Sequence, residues 1–123
     1  MEVYGRQFEV GKQSGNVCWL SFPELCAKGA STADMLAVAR RYEMIGIDHV
    51  PQFTYTMLEQ VRRFINIVDV LYERRTRLLL HMQVPLPELF LLGGAVSDES
   101  FAIMRTLSRL EQMQSLEWWT AGN

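Results

Sequence analysis

Two short apolar runs on either side of one long amphipathic segment constrain the fold of this chain most. The runs cover residues 44–47 and 76–82, and polar or proline-containing sequence follows each of them. Between them, apolar residues recur at helical spacing from Leu58 to Tyr72, which predicts a helix over 56–74. Strand, helix and strand in this order form a βαβ unit, so we expect the two strands to lie parallel in one sheet.

The start of the long helix carries a capping motif. Thr56 is followed three residues later by Glu59, which is the spacing of a capping box, in which a hydroxyl and a carboxylate each bind a backbone N–H at the helix start. We therefore predict that the helix begins at Thr56. Ser31 or Thr32 is predicted to cap a shorter helix that ends near Tyr42.

The N-terminal part has the pattern of a β-hairpin. Polar and apolar residues alternate over 3–10, turn-forming residues fill 11–16, and a second apolar strand covers 17–20. A short helical segment with Pro23 near its first position is predicted over 22–27.

The C-terminal part is predicted to end in a helix. The two prolines at 85 and 87 bracket a turn, Gly93-Gly94 lies in a loop, and Ser97 is the expected cap of the last helix. The apolar residues predicted to line one side of that helix are Phe101, Met104, Leu107 and Leu110.

Together these elements predict an α/β protein: an N-terminal β-hairpin followed by helices and a βαβ unit with a long C-terminal helix. A chain of 123 residues that is 49% hydrophobic can form one compact domain, which we expect over 1–123. The net charge of −2 gives no overall attraction to nucleic acid, so no nucleic-acid partner is expected. The apolar runs are far shorter than the roughly 20 residues of a membrane span, so none is expected.

The motifs that usually bring catalytic chemistry are broken or absent. Gly93-Gly94 is followed by Ala95, Val96 and Ser97, whereas a phosphate-binding loop needs a Lys and then Ser or Thr directly after its last Gly. Asp48 ends an apolar strand in the way that a magnesium-orienting Asp does, which makes it a weak metal candidate beside the simpler interpretation of a loop residue. We predict no catalytic residue and no cofactor bound by this chain alone.

Histidines and cysteines give equally little support for a metal site or a redox pair. His49 and His81 have no ligand-forming neighbours at suitable spacing, so each is interpreted as a partly buried polar residue. Cys18 and Cys26 are eight residues apart, which is neither a CxxC pair nor half of a zinc site. A reducing compartment, or indifference to the redox state of the compartment, fits this cysteine usage best.

Arginines are the most informative polar residues. Arg105 and Arg109 lie one turn apart on the last helix, where like charges repel unless an acidic group faces them. The first interpretation is that Asp69 and Glu73, which have the same spacing on the long helix, are that group. The alternative is a phosphate or a neighbouring subunit.

A second arginine pair and two tryptophans are further candidates for contacts. Arg62 and Arg63 are within reach of Glu59 on the long helix, so a solvated ion pair is their default interpretation. Trp118 and Trp119 close the chain, and aromatic residues of this kind favour the buried centres of interfaces.

At this level of detail the chain resembles a known family. Arg62-Arg63-Phe64-Ile65 with residues 68–72, and the segment 105–114, resemble the two signature blocks in the C-terminal part of the ZapE family of AAA+ ATPases. Its eukaryotic members are the mitochondrial lactation-elevated-type ATPases. The further matches are Gly5-Arg6, Phe22-Pro23-Glu24-Leu25-Cys26 with Asp34, and Val50-Pro51-Gln52-Phe53. The chain departs from the family pattern at Met35 and Gln112, among others.

The resemblance implies a part of an ATPase of mitochondrial protein quality control or respiratory-complex maintenance, or of bacterial division. The family's phosphate loop and its Walker B acids belong to a region N-terminal to anything in this chain. This chain is therefore expected to be a C-terminal supporting region, completed by an N-terminal nucleotide-binding half or by neighbouring subunits. ATP and magnesium are implied for the full-length protein. The positions that carry over as nucleotide or subunit contacts are Arg105, Arg109, Arg62 and Arg63.

Two other hypotheses stay open. The chain could be a degenerate ATPase-like structural or assembly subunit of a larger mitochondrial complex, with Trp118 and Trp119 at its interface, or an unrelated α/β binding module. A phosphate-loop motif encoded upstream of Met1 would favour the ATPase. The resemblance implies a mitochondrial location, or the bacterial cytoplasm for a prokaryotic gene.

Overall fold

The fold is built on parallel β-strands that alternate with helices. The computed structural model describes residues 2–3, 6–7, 12–14, 17–92 and 100–121, with side chains over 17–92 and 101–120. The elements in chain order are β1 (Glu2–Val3), β2 (Arg6–Gln7), β3 (Lys12–Ser14), β4 (Val17–Ser21), α1 (Phe22–Ala27), α2 (Thr32–Arg41), β5 (Met44–Val50), β6 (Phe53–Thr54), α3 (Leu58–Glu73), β7 (Arg77–Met82), a 3-10 helix (Leu86–Glu88), β8 (Phe90–Leu91), α4 (Ser100–Gln112) and α5 (Leu116–Ala121).

The main sheet has four strands in the order β3-β4-β5-β7. Strands β4, β5 and β7 are parallel, and β3 is antiparallel to β4. Helix α3 connects β5 to the adjacent parallel β7, which confirms the predicted βαβ unit. Two small sheets accompany it, an antiparallel β1-β2 pair and a parallel β6-β8 pair. The predicted fold class is therefore confirmed.

The core lies on one face of this sheet. Alternate residues of a strand point to the same face, and the buried row of Cys18, Ile45 and Leu78 crosses three strands in register. An aromatic cluster continues the core next to α1 and α3, with ring centroids 5.6 Å apart for Phe22 and Phe53 and 5.2 Å apart for Phe53 and Phe64.

On the opposite face of the sheet, the Trp19 ring lies close to Gly46 of β5. A Cβ atom placed on Gly46 would lie 2.4 Å from the Trp19 ring, so only glycine fits there. The Trp19 side chain covers the space that a side chain on β5 would otherwise take.

The hairpin and the long helix begin elsewhere than predicted. The hairpin consists of β3 and β4, so its first strand, Lys12–Ser14, lies in the segment predicted to turn. Helix α3 begins at Leu58 after an N-cap at Met57 that makes no side-chain capping bond. The capping box of Thr56 and Glu59 is wrong because the Thr56 hydroxyl lies 3.0 Å from that of Thr54.

The shorter helix α2 follows its prediction closely. Ser31 is its N-cap, and the Ser31 hydroxyl accepts a hydrogen bond from the backbone of Asp34, whose carboxylate accepts one from the backbone of Ser31. Strand β5 is longer than predicted and runs through Asp48 to Val50. Gly93-Gly94 and the Ser97 cap lie outside the described residues.

The last helix presents a different face to the core than predicted. Phe101 and Met104 are 85% and 68% exposed, whereas Thr106, Leu110 and Met113 are buried. Each step of three residues rotates a helix by about 300°, so a run of such steps drifts around the axis and places Phe101 opposite Leu110. In the part of the chain that the structure describes, no helix is long and apolar enough to cross a membrane.

Candidate functional site

The two signature blocks contact each other where α4 packs on the C-terminal half of α3. Asp69 accepts hydrogen bonds on both carboxylate oxygens, from Arg105 Nη2 at 3.1 Å and from Arg109 Nη1 at 2.7 Å. A second ion pair joins Arg109 Nη2 to Glu73 Oε1 at 3.7 Å. The carboxylates of α3 therefore face the two arginines, which confirms the first interpretation of this pair.

An aromatic stack continues from Arg109 toward the sheet. The guanidinium of Arg109 lies 4.5 Å from the centre of the Tyr72 ring, and Tyr72 stacks on Trp118 at 5.2 Å with an interplanar angle of 20°. Arg75 covers Trp118 at 4.7 Å. The order is cation, aromatic ring, aromatic ring, cation, and each such contact contributes about 0.5–1.5 kcal/mol. We call Asp69, Tyr72, Arg109 and Trp118, with Arg75, the block interface.

Polar groups of the stacked rings are also bonded. The Tyr72 hydroxyl donates to Gln112 Oε1 at 2.8 Å, which ties α3 to the end of α4. The Trp118 indole N–H donates to the Thr76 carbonyl at 3.2 Å, which ties α5 to the start of β7. The block interface thus joins α3, α4, α5 and the start of β7; the Trp118–Thr76 bond is buried and the Tyr72–Gln112 bond is exposed.

Trp118 belongs to the interior of the chain itself. Its side chain is only 2% exposed, so the expectation that it meets a partner protein does not match its position. Trp119 is half-buried, and its indole N–H donates to the Met113 carbonyl at 3.0 Å. The Trp119 carbonyl accepts two bonds from the Arg77 guanidinium, at 2.7 and 3.0 Å.

The charges of the two ion-paired arginines are balanced by carboxylates. Arg105 and Arg109 face Asp69 and Glu73, while Arg75, on the Trp118 ring, adds one further positive charge. Arg109 directs its donors at Asp69 and Glu73, while the Arg105 side chain is 46% exposed and can also donate to groups outside the chain. Arg109 therefore directs its bonded donors at carboxylates of the same chain and not at a triphosphate.

The second arginine pair lies at the other end of α3. Arg63 Nη1 donates to the Ala30 carbonyl, which ties α3 to the turn before α2. Arg62 lines a cavity of about 200 Å³ with Ser31 and Glu59 among its other walls. Arg62 precedes Asp69 by seven residues, a rise of about 10 Å along the helix. The structure therefore places the two arginine pairs at separate sites.

The carboxyl ends of the parallel strands carry the histidines and the weak metal candidate. Asp48 Oδ1 lies 2.8 Å from His49 Nδ1, and the rings of His49 and His81 are 6.1 Å apart. Both histidines are exposed, so the prediction of partial burial was wrong. His49 has a φ of 56°, a left-handed conformation that costs a non-glycine residue about 1 kcal/mol. Among the described residues, no group of three or more His, Cys, Asp and Glu could hold a metal ion.

The two thiols are free and protonated at neutral pH. Burial raises the pKa of Cys18 from its ordinary value to about 11. Burial also raises the pKa of Cys26, while nearby Arg63 opposes that shift. Since the thiolate is the nucleophilic form, neither cysteine is activated for catalysis.

Sequence reasoning did not identify Tyr72 and Arg75 as members of the block interface. For Tyr72 the only available signal was its spacing, because residues three apart on a helix share a face and Tyr72 follows Asp69 at that interval, whereas Arg75 lies beyond the end of α3 and had no such signal. Nothing in that spacing indicates that Trp118 would insert between them.

Comparison with known proteins places this architecture in a family. Three parallel strands with a crossover helix define the class, an α/β protein with a parallel sheet. The family model for AFG1-like ATPases matches residues 1–121 of the chain. The chain belongs to the AFG1-like ATPase family.

Relatives come from fungi, vertebrates and bacteria. An uncharacterized protein of Schizosaccharomyces pombe is 31% identical over an alignment that covers 96% of this chain and 31% of that protein. Lactation elevated protein 1 homolog B of Danio rerio is 26% identical over 100% of this chain and 30% of its own length. Cell division protein ZapE of Escherichia coli K12 is 37% identical, over 80% and 25% respectively. The chain thus spans less than a third of each relative, and no solved structure matches it.

Proposed function

We propose that this chain is the C-terminal supporting region of an AAA+ ATPase and is not catalytic by itself. The observation that carries the proposal is the internal pairing of the two signature blocks through Asp69 and Tyr72. Guanidinium groups that are bonded to carboxylates of their own chain hold α4 against α3. They can affect a nucleotide site elsewhere only through the position of α4. Membership of an ATPase family supports the presence of that site in the whole protein.

The whole protein is proposed to use ATP with magnesium in mitochondrial protein quality control or in the maintenance of a respiratory complex. The name of the zebrafish relative supports the lactation-elevated branch, and the name of the bacterial relative refers to cell division. For a bacterial gene the proposed location is the cytoplasm, and for a eukaryotic gene it is the mitochondrion.

Measurements of ATP binding and hydrolysis on the short chain and on the full-length polypeptide test this proposal. The 123-residue chain should show no ATP binding by titration calorimetry, whereas the full-length polypeptide that carries it should hydrolyse ATP. Arg109→Ala in the full-length polypeptide should lower turnover at least tenfold, because α4 loses its bonds from Arg109 to Asp69 and Glu73 of α3. Arg74→Ala is the matched control, since Arg74 is exposed and lies outside the block interface.

The Arg109→Ala experiment has a clear opposite result. Turnover equal to that of the Arg74→Ala control, in protein that is folded by circular dichroism, would remove Arg109 from the ATPase machinery. ATP binding by the short chain with micromolar affinity would contradict the assignment of a supporting role.

A structural or assembly subunit is the second candidate function. The internal saturation of Arg109 and Trp118 favours it, because a chain held together in this way needs no nucleotide to keep its shape. The native protein would then purify with stable partners that stay bound without ATP. A gene that encodes a phosphate-loop motif upstream of Met1 would decide in favour of the ATPase.

A further inference from the structure

The outer edge of β7 is a strand-pairing surface at Leu80 and Met82, which are half-buried, while Leu78 at its start is buried. In the described part of the chain, β7 is the last strand of the main sheet, and no strand pairs with its outer side. The Arg77 N–H donates to the Glu43 carbonyl at 3.2 Å and the Gln83 N–H to the Val50 carbonyl at 2.9 Å. Odd-numbered residues of β7 therefore bond to β5, and the backbone groups of Leu78, Leu80 and Met82 point outward.

An apolar groove lies beside this edge. It has a volume of about 340 Å³, and Gln114 is its one polar lining residue. The apolar walls come from the strand and from both C-terminal helices, and include Leu80, Met82, Leu110, Met113 and Trp119. A strand that pairs with β7 would place every second side chain in this groove, which is how strand addition gains specificity.

The centre of the edge lacks the features that usually prevent strand addition. Natural edge strands carry a central charge, a proline or a bulge, whereas Leu78-Leu79-Leu80 has no charge and no proline, and the irregularity of the β5–β7 ladder lies on β5, between Ile47 and Val50. The one cation of the strand, Arg77, is directed at the Trp119 carbonyl. On the other face of the sheet, Leu79 remains 37% exposed.

Helix α5 covers only the start of the edge. The Trp118 indole N–H donates a hydrogen bond to the Thr76 carbonyl, which points to the same side as the backbone of Leu78. An added strand must therefore begin its pairing after Thr76, and this fixes where along β7 it can bind.

The relatives are much longer than this chain, and their remaining part is the source of the strand that we expect at the outer edge of β7. This chain corresponds to 31%, 30% and 25% of three relatives, so more than two thirds of each polypeptide lies outside the matched part. We propose that the outer edge of β7 pairs with an extended apolar strand from that remaining part of the family polypeptide, which extends the sheet beyond β7. The proposal rests on the proposed function, because it requires the longer polypeptide.

Hydrogen–deuterium exchange at single-residue resolution tests the pairing without nucleotide. The amides of Leu80 and Met82 should exchange at least about 100-fold more slowly in the full-length polypeptide than in the 123-residue chain. Amides of α5, which bond within their own helix, should exchange at similar rates in both. Since no ATPase activity is measured, a failure here is separate from a failure of the Arg109→Ala experiment.

Matched variants show whether the lack of a charge on the edge strand matters. Leu79→Lys in the full-length polypeptide should make the Leu80 and Met82 amides exchange at least about tenfold faster than in the wild type, because a charge on an edge strand opposes pairing. Leu116→Lys is the control, since Leu116 is 79% exposed on α5 and does not line the groove.

Three results would overturn the proposal. The first is equally fast exchange of the Leu80 and Met82 amides in both polypeptides. The second is protection that already exists in the short chain, including protection that rises with concentration and so identifies a second copy as the occupant. The third is a gene that encodes only these 123 residues.

Discussion

The block interface and the carboxyl edge of the sheet, where Asp48 and His49 lie, differ in how many contacts their polar residues make. At the block interface, Asp69 binds two arginines and Trp118 is stacked between Tyr72 and Arg75. At the carboxyl edge, Asp48 has one contact with the exposed His49, whose backbone is left-handed. The more specific sequence motif thus coincides with the more densely bonded region.

This difference shows what a signature block can mean. A recurring arginine motif is easily interpreted as a ligand site, yet here the motif places its side chains against carboxylates of the same chain. The carboxyl edge, where parallel α/β sheets usually bind ligands, carries the weaker sequence signal and the exposed polar groups. The following predictions test whether the contrast holds in solution.

Loss of the central aromatic ring should have the largest effect. Trp118→Ala removes a buried side chain together with its contacts to Tyr72 and Arg75, and should lower the free energy of unfolding by about 4 kcal/mol. The control Trp119→Ala removes a half-buried ring and should cost about 1.5 kcal/mol. Urea unfolding of both variants measures the difference in the free energy of unfolding. Equal losses would show that the stack on Tyr72 and Arg75 adds no stability.

Loss of the shared carboxylate should have the next largest effect. Asp69→Ala breaks two charge-assisted hydrogen bonds and leaves Arg105 and Arg109 facing each other, which should cost about 2 kcal/mol. Glu73→Ala should cost under about 0.5 kcal/mol, because the Glu73 side chain is 72% exposed. The same unfolding experiment in about 1 M NaCl should reduce the Asp69→Ala loss, since salt screens charges. A loss that is independent of salt would argue against an electrostatic role.

Glycine substitutions at the two left-handed residues should differ in outcome. His49 and Arg75 have φ values of 56° and 54°. His49→Gly should raise the free energy of unfolding by about 0.5–1 kcal/mol, because glycine adopts this conformation without strain. Arg75→Gly should be close to neutral, because relief of strain is offset by the lost contact with Trp118. Thermal unfolding of both variants decides, and a similar gain at the two positions would remove Arg75 from the block interface.

Thiol labelling should give the smallest and most local effect. Cys18 is fully buried and its pKa is raised to about 11, so a maleimide at pH 8 should label Cys26 first and Cys18 only on unfolding. A folded pKa above the ordinary thiol value of 9.0 also means that Cys18 contributes stability below pH 9, and that this contribution is lost between pH 9 and 11. Rapid labelling of Cys18 in native protein would contradict its burial.

Sequence patterns predicted the elements better than their faces and ends. The βαβ unit and the cap at Ser31 follow from local spacing and are confirmed. The capping box at Thr56 failed because a neighbouring hydroxyl competes for the Thr56 side chain. The buried face of α4 was misjudged because four apolar residues at intervals of three do not share one face, and packing selected Thr106, Leu110 and Met113 instead.

The candidate site was predictable in its charges but not in its aromatic contacts. The spacing of Arg105 and Arg109 required an acidic partner, and the same spacing on α3 identified Asp69 and Glu73. The position of Trp118 could not be predicted, because an aromatic residue near a chain end suits a partner's surface and its own core equally well. Only the path of α5 back to Thr76 decides between them.

A double-mutant cycle between Asp69 and Arg109 tests the central claim, that the two signature blocks stabilise each other within this chain. The free energy of unfolding is measured for the wild type, Asp69→Ala, Arg109→Ala and the double variant. The account predicts a coupling energy of about 1.5 kcal/mol, because each single variant breaks the same 2.7 Å bond. Additivity of the two losses to within about 0.3 kcal/mol would contradict it, and would show that the blocks act independently.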